Sequence, residues 1–239
     1  MNEQKAFRAE RDSMGEMQVP ADAYYGAQTQ RAVENFPISG IRPHPIFTKS
    51  MVYIKKAAAN VNNELGCLDD EKSEAIINAS DRILEGEFQD QFVVDVYQAG
   101  AGTSFNMNVN EVIANIAIES SGGKKGDYSV LHPNDHVNFG QSTNDVFPTA
   151  MRISALFLLG ELFPVVDELV DSLNEKVEEF DKIIKSGRTH LQDAAPIRIG
   201  QEFSGYAAAV SKAAEKIKSA SDALKELGIG GTAVGTGLN

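Results

Sequence analysis

The sequence predicts a mainly α-helical protein, in which an irregular helical amino-terminal domain precedes the long helices of an incomplete central bundle. Two observations in the second half predict the bundle: apolar residues recur by threes and fours along two long stretches, and a polar break separates them. A third observation is the density of glycine and proline at the start, which predicts turns and short strands there. We therefore expect two domains, at residues 1–144 and 145–239.

The composition is typical of a folded, soluble protein. Of the 239 residues, 42% are hydrophobic, which is ample for a core. The amino end lacks the apolar stretch of a signal peptide, and no segment has 18 uninterrupted apolar residues, so we expect a cytoplasmic protein. The net charge of −12 argues against binding to nucleic acid or to anionic membranes. Cys67 is the single cysteine, so no disulfide framework or cysteine-based zinc site is expected, and we expect neither metal nor cofactor.

Three helices are predicted in the first domain. The first, Phe47–Leu65, has apolar residues at helical spacing and is followed by a glycine. Asp69 can cap the second, which closes at Gly86. The third runs from about Val109 to Ile118, where a serine and glycine cluster ends it.

The segment before the third helix admits two interpretations. An apolar run gives way to Gly100 and Gly102, then to the hydroxyls of Thr103 and Ser104. Glycine permits a tight backbone and the close approach of a ligand, and the side chains that follow supply hydrogen bonds. A binding loop and a structural turn both fit this pattern.

Two long helices are predicted in the second domain. The first apolar seam supports a helix from Pro148 to Ile184, about 55 Å long at 1.5 Å per residue, with a kink at Pro164. A polar loop, Lys185–Pro196, precedes a second seam at Ile199–Leu227. Two such helices would leave much apolar surface in water. We therefore expect partner helices, either from further chain or from other subunits.

Several polar segments of the chain, together with its glycine-rich end, resemble the aspartase and class II fumarase family. The match covers essentially the whole chain, in the family's order. The matching segments are Gly100-Ala-Gly-Thr-Ser-Phe-Asn-Met-Asn108, His132-Pro-Asn-Asp-His-Val-Asn138, Gln141-Ser-Thr-Asn-Asp145, Gly187-Arg-Thr-His-Leu-Gln-Asp193, Gly200-Gln-Glu202 and Gly230-Gly-Thr-Ala-Val-Gly-Thr-Gly-Leu-Asn239.

The resemblance implies a substrate site for a four-carbon dicarboxylate. Family members remove a proton next to a carboxylate, so the site must supply hydrogen-bond donors where the enediolate charge develops. Thr189 and His190 are the expected catalytic residues, since an imidazole can donate to a carboxylate or move a proton near neutral pH. The residues implied to bind substrate are Thr103, Ser104, Ser142, Thr143, Asn144, Thr189 and His190.

A second anion-binding spot is implied at His132, Asn134 and Asp135. A structural role for His132 and for His136 remains an equal alternative. The resemblance implies no metal ligand at either place.

Within the family, residues 100–104 and 141–145, together with Tyr24-Tyr25-Gly26, look more like those of aspartases. Fumarases usually have serine where this chain has Ala101 and Thr143, whereas Gln201–Tyr206 and Ile229–Val234 look fumarase-like. We therefore expect aspartate ammonia-lyase activity, with class II fumarate hydratase as the alternative. A non-catalytic helical assembly module is a third possibility, because some relatives kept the bundle without the chemistry.

The resemblance also implies what the chain lacks. In the family the chain continues for about as long again and carries a mobile loop, Gly-Ser-Ser-x-Met-Pro-x-Lys-x-Asn-Pro, whose serine is the base. This sequence has no such motif. We therefore expect the amino-terminal half of a longer enzyme, inactive by itself. Because family members build each site from three subunits, we also expect a homotetramer.

Overall fold

A computed structural model describes residues 6–238 of the chain. Most of these residues are helical, which confirms the predicted mainly α class. The chain divides into two compact units, one of residues up to Ser154 together with those from Leu227 onward, and one of Ala155–Glu226. The domains predicted from the sequence, 1–144 and 145–239, have different bounds and stay a prediction.

The first unit begins with a hairpin of two antiparallel strands, β1 (Phe7–Asp12) and β2 (Gly15–Pro20). Short strands were expected in this breaker-rich segment, but the helix that follows, α1 (Ala27–Asn35), was not. The remaining elements of the unit are α2 (Pro45–Glu64), α3 (Asp70–Leu84), a 3₁₀ turn (Gln89–Gln91), α4 (Thr103–Ser120), a π-helical turn (Pro133–Val137) and the start of α5 (Thr143–Phe180).

Helices α2 and α3 confirm the sequence predictions closely. The predicted cap, Asp69, accepts a hydrogen bond from the backbone N–H of Lys72 at 2.8 Å. Two further carboxylates lie in the first turn of α3, where they interact favourably with the helix dipole. Local capping chemistry therefore fixes where this helix begins.

Helix α4 is the core of the first unit, because every residue from Phe105 to Ile118 is buried. The sequence prediction placed its start at about Val109, which was wrong by six residues. The cause is physical: a helix that is buried on all sides has no polar face, so its sequence lacks amphipathic periodicity. Its asparagines are interior residues of the helix.

Two of these asparagines hold the backbone of neighbouring loops. Asn115 donates from Nδ2 to the carbonyl of Tyr24 at 2.9 Å and accepts from the N–H of Gly126 at 2.7 Å. Asn108 donates to the carbonyl of Gln91 at 3.0 Å. The amides of Asn108 and Asn115 are thus paired, as most buried polar groups are.

The second unit contains most of α5, a hairpin of β3 (Ile184–Thr189) and β4 (Gln192–Arg198), α6 (Ile199–Ser221) and a 3₁₀ turn (Asp222–Lys225). The prediction of a long helix is confirmed, although α5 begins earlier and ends four residues before Ile184. The predicted polar loop was wrong, since the structure has an antiparallel hairpin there. Its proline and mixed polarity gave no alternating strand pattern.

The apolar seams of the second unit are only partly covered, and several of their residues are exposed. Leu162, Leu169 and Ile217 are 43%, 48% and 43% exposed. At one end of the unit two rings meet, with centroids 5.4 Å apart between Phe180 and Phe203. The expectation of partner helices stays a prediction that this exposure supports. Among residues 6–238, no helix is long and apolar enough to cross a membrane.

Candidate functional site

The predicted donor segment Ser142-Thr-Asn144 lies at the start of α5, with Ser142 directly before the first helical residue. The N–H of Ser142 donates to Oδ1 of Asp145 at 2.9 Å, and the N–H of Asn144 donates to Oγ of Ser142 at 3.3 Å. Ser142 and Thr143 are half-buried and Asn144 is exposed. The side chains are therefore fixed by capping bonds yet remain within reach of a ligand.

The second donor segment, Thr103 and Ser104, begins α4. The residue before it, Gly102, has a φ of +89°, and a Cβ there would lie 2.2 Å from the ring of Phe147 in α5. Only glycine permits both this backbone conformation and this close approach. The start of α4 therefore contacts the start of α5 at two places, Gly102 against the ring of Phe147 and Nδ2 of Asn106 against Oγ1 of Thr143 at 3.1 Å.

The glycine-rich segment that begins at Gly230 is hydrogen-bonded to the start of α5. Oδ2 of Asp145 accepts from the N–H of Gly230 at 3.1 Å and from the N–H of Thr232 at 2.9 Å. Asn144 donates from Nδ2 to the carbonyl of Ala233 at 3.1 Å. Sequence reasoning gave Asp145 no role, although its place at the end of the Gln141–Asp145 motif was a usable signal.

A buried lysine lies behind the two donor segments. Lys55 of α2 is fully buried, and its Nζ donates to Oδ1 of Asn106 at 2.8 Å, Oδ1 of Asn138 at 2.7 Å and Oε1 of Gln141 at 2.9 Å. Burial lowers the pKa of Lys55 to about 7, and the nearby carboxylate of Asp145 acts in the opposite direction. Sequence reasoning missed this residue.

The signal for Lys55 was its position on the apolar side of α2. It follows Met51 by four residues, so it lies on the same helix face as a fully buried side chain. A lysine on a core face is uncommon unless it is paired. That combination indicates a polar network in the interior.

The first unit therefore offers a cluster of neutral donors backed by a cationic network. Hydroxyls, amides and the N–H groups of two helix starts suit an anion such as a carboxylate. Among residues 6–238, no group of three or more histidine, cysteine, aspartate or glutamate side chains is placed to hold a metal ion.

Thr189 and His190 belong to the second unit, at the tip of the β3–β4 hairpin. Thr189 pairs with Gln192, so His190 and Leu191 form a two-residue turn, with φ values of 49° and 61°. Asn and Gly favour such positions, and other residues there carry strain. Backbone strain of this kind concentrates at functional sites.

The neighbourhood of His190 is exposed. Nε of Arg188 donates to Oδ1 of Asp193 at 3.3 Å, so this aspartate orients the arginine. The side chains of Thr189 and His190 are exposed at the hairpin tip. They are free to meet a ligand.

The residues of the predicted second anion spot surround the π-helical turn. Nδ1 of His132 accepts from the N–H groups of Asn134 and Asp135, both at 3.2 Å. An accepting Nδ1 carries no proton, so the proximity of the Asp135 carboxylate at 3.4 Å is no ion pair. His136 also has a structural contact, since its Nδ1 accepts from the N–H of His132 at 2.7 Å.

A cavity of about 210 Å³ adjoins this turn, and His132 and Asn134 line it whereas Asp135 does not. Arg11 is the cationic side chain in its lining, and carboxylates of Asp12 and Glu111 are also present. Because side chains of both charges line the cavity, its lining does not favour the binding of an anion. The second anion spot stays a prediction.

Comparison with known proteins agrees with the resemblance seen in the sequence. The family model described as lyase matches residues 15–239. Fumarate hydratase class II of Halobacterium salinarum is 56% identical over 234 residues, which are 98% of this chain and 50% of that protein. Aspartate ammonia-lyase of Bacillus subtilis is 52% identical over 239 residues, 100% of this chain and 50% of that protein.

Solved structures give the same result. Fumarate lyase:delta crystallin from Brucella melitensis, bound to cobalt, has a TM-score of 0.95 and 46% identity over 98% of this chain and 51% of that one. The chain spans about half the length of the curated relatives that it matches. With most of its residues matched by the family model and half of them identical in these relatives, the chain belongs to the lyase family that contains class II fumarases and aspartate ammonia-lyases.

Proposed function

We propose that the protein is an aspartate ammonia-lyase, which converts L-aspartate to fumarate and ammonia through an enediolate intermediate. A base takes the proton next to one carboxylate, and the electrons of that C–H bond become the enediolate. The enediolate then forms the carbon–carbon double bond as the C–N bond breaks and ammonia leaves. Negative charge grows on the carboxylate during the first step, so donors aimed at it lower the barrier.

The observation that carries this proposal is the packing of two donor segments at adjacent helix starts. Ser142, Thr143 and Asn144 at the start of α5 are proposed to form one anion-binding surface with Thr103 and Ser104 of α4, which the bond from Asn106 to Thr143 supports. Helix dipoles at these starts favour negative charge. In the proposed enzyme this surface binds substrate carboxylate.

The second set of proposed residues is Thr189 and His190. At the strained hairpin tip, an exposed imidazole suits either donation to the other carboxylate or transfer of a proton near neutral pH. The base is proposed to come from chain beyond these 239 residues, because the sequence lacks the serine motif of the family. Exposed seams on α5 and α6 support a homotetramer with shared sites.

Aspartate is favoured over malate by the motif Gln141-Ser-Thr-Asn-Asp145, in which Thr143 replaces the serine usual in fumarases. A specific observation favours the alternative, class II fumarate hydratase: a relative of that name is 56% identical. The leaving group is the difference, ammonia in one case and water in the other. A non-catalytic assembly module is the third candidate.

The test is made on the full gene product that contains these residues. Fumarate absorbance should develop with L-aspartate and not with L-malate; the reverse preference makes the protein a fumarase, and no product with either makes it an assembly module. Replacing His190 by Asn should lower kcat/KM by about a hundredfold or more. His44→Asn, at the start of α2, is the matched control and should leave kcat/KM unchanged.

A separate measurement concerns the 239 residues alone. Light scattering reports their assembly and the same absorbance assay reports their turnover. Appreciable turnover by this chain would contradict the proposal that the base lies outside it.

A further inference from the structure

The three bonds of Lys55 fix the orientation of every amide around it. Below its pKa of about 7 Lys55 is an ammonium, which has three protons and no acceptor, and three side-chain oxygens take all three protons. The atoms facing Nζ must therefore be oxygens, so the amide of Asn106 has one orientation. Its nitrogen, Nδ2, points away from the lysine.

Nδ2 of Asn106 points at the donor segment. It lies 3.1 Å from Oγ1 of Thr143 and 3.2 Å from Oδ1 of Asn138. An amide nitrogen only donates, so each of its two protons has one of these acceptors. Oγ1 of Thr143 therefore acts as an acceptor on its inner side.

The hydroxyl proton of Thr143 is consequently available to an acceptor on the side away from Asn106. Within the part of the chain that the structure describes, this hydroxyl donates to no residue. Thr143 is half-buried, at the first turn of α5, where a ligand can reach it. A bound carboxylate oxygen is the kind of acceptor that this proton requires.

We propose that Lys55 is a positioning residue, which acts through Asn106 to hold the hydroxyl of Thr143 as an outward donor to the carboxylate of the substrate. This inference rests on the proposed lyase function and adds a residue to it. Without the lysine, the side-chain amide of Asn106 is free to rotate by about 180°, so that its oxygen and nitrogen exchange places. Its oxygen would then accept the proton of Thr143 and draw it away from the ligand.

The experiment compares variants of the full gene product by kcat/KM for fumarate formation. Thr143→Val removes the hydroxyl and should lower kcat/KM by roughly tenfold to a hundredfold, the value of a charge-assisted hydrogen bond. Lys55→Met should cause a similar loss. Asn106→Asp, which keeps the shape and the partner of Lys55 but cannot donate to Thr143, should do the same. Thr143→Ser, which keeps the hydroxyl, should retain most of the activity.

The decisive readout is the double variant. If Lys55 and Asn106 act through the hydroxyl, then Lys55→Met and Asn106→Asp should cause little further loss in a Thr143→Val background. Lys56→Met is the matched control, because Lys56 is the adjacent lysine of α2 and pairs with Asp81 at the surface. It should leave kcat/KM unchanged.

Losses that multiply in the double variants would overturn the inference, since they would show that Lys55 supports the fold and not the hydroxyl. If Lys55→Met fails to fold, by circular dichroism and thermal unfolding, the near-isosteric Asn106→Asp variant carries the same test. An unmutated protein that forms no fumarate from either substrate would refute the proposed function, and this inference with it. Multiplying losses in an active protein would refute this inference alone.

Discussion

Replacing Asp145 by Asn should release the glycine-rich end of the first unit. The carboxylate is 4% exposed and accepts three backbone bonds, one from Ser142 and two from Gly230 and Thr232. An asparagine has a single oxygen. In its better orientation the oxygen faces the two loop amides, and the nitrogen faces the N–H of Ser142, where two donors oppose each other.

The magnitude follows from these three bonds. A hydrogen bond to a charged group contributes about 2 kcal/mol and a neutral one about 1 kcal/mol. The substitution removes one charged bond and makes two others neutral, so the total loss is about 4 kcal/mol of unfolding free energy. About 2 kcal/mol of this falls on the two loop amides, which corresponds to exchange about 30-fold faster.

The assay is hydrogen–deuterium exchange at Gly230 and Thr232, followed by urea unfolding of the same protein. Asp22→Asn is the control, because this carboxylate is exposed. It should leave both measurements unchanged. If the two amides exchange at the original rate in Asp145→Asn, the carboxylate does not hold the loop and the reasoning fails.

Three further predictions concern stability, each read by urea unfolding. Gly102→Ala should lower the unfolding free energy by about 3 kcal/mol, because a methyl group meets the ring of Phe147 at a positive φ. Leu191→Gly should raise it by about 1 kcal/mol, since the left-handed backbone is relieved and a 92% exposed side chain loses no burial. Burial raises the pKa of Glu111 from 4.5 to about 7, so the folded state holds more protons between those values. Stability should therefore fall as pH rises through this window, and Glu111→Gln should flatten the change.

Each of these variants has its own control. Gly66 also has a positive φ but open space around it, so Gly66→Ala should lose only the backbone term, about 1 kcal/mol. Leu191→Ala keeps the strain and should bring no gain; a gain equal to that of glycine would show that strain is not the cause. A pH profile that is the same in Glu111→Gln as in the parent would assign the dependence to other groups.

Elements with local signals could be predicted from the sequence. The start of α3 follows from Asp69 as cap, and the length of α5 follows from an unbroken apolar seam. The β3–β4 hairpin could not be predicted, because its turn residues, His190 and Leu191, are not those that favour positive φ.

The residues of the candidate site also divide into those with a local sequence signal and those without one. Thr103, Ser142 and Thr143 stand in segments whose composition marks them, so the sequence alone sufficed to propose them as site residues. Lys55 and Asp145 act through partners far away in the chain, up to 87 residues in the case of Asp145 and Thr232. A single sequence gives the residue type but not the partner, and these two residues acquire their roles only when the helices pack.

The asparagines of α4 have a consequence for the order of folding. The backbone at Tyr24 and Gly126 belongs to no regular element, and Gln91 ends a short 3₁₀ turn. Polar backbone groups of all three residues find their partners on side chains of α4. Such connecting segments cannot take their final course until α4 has formed and sits in place. The side chains of α4 thus determine the native backbone path of these loops through hydrogen bonds. Asn115→Leu would leave α4 helical but would remove the hydrogen bonds that hold the backbone at Tyr24 and Gly126.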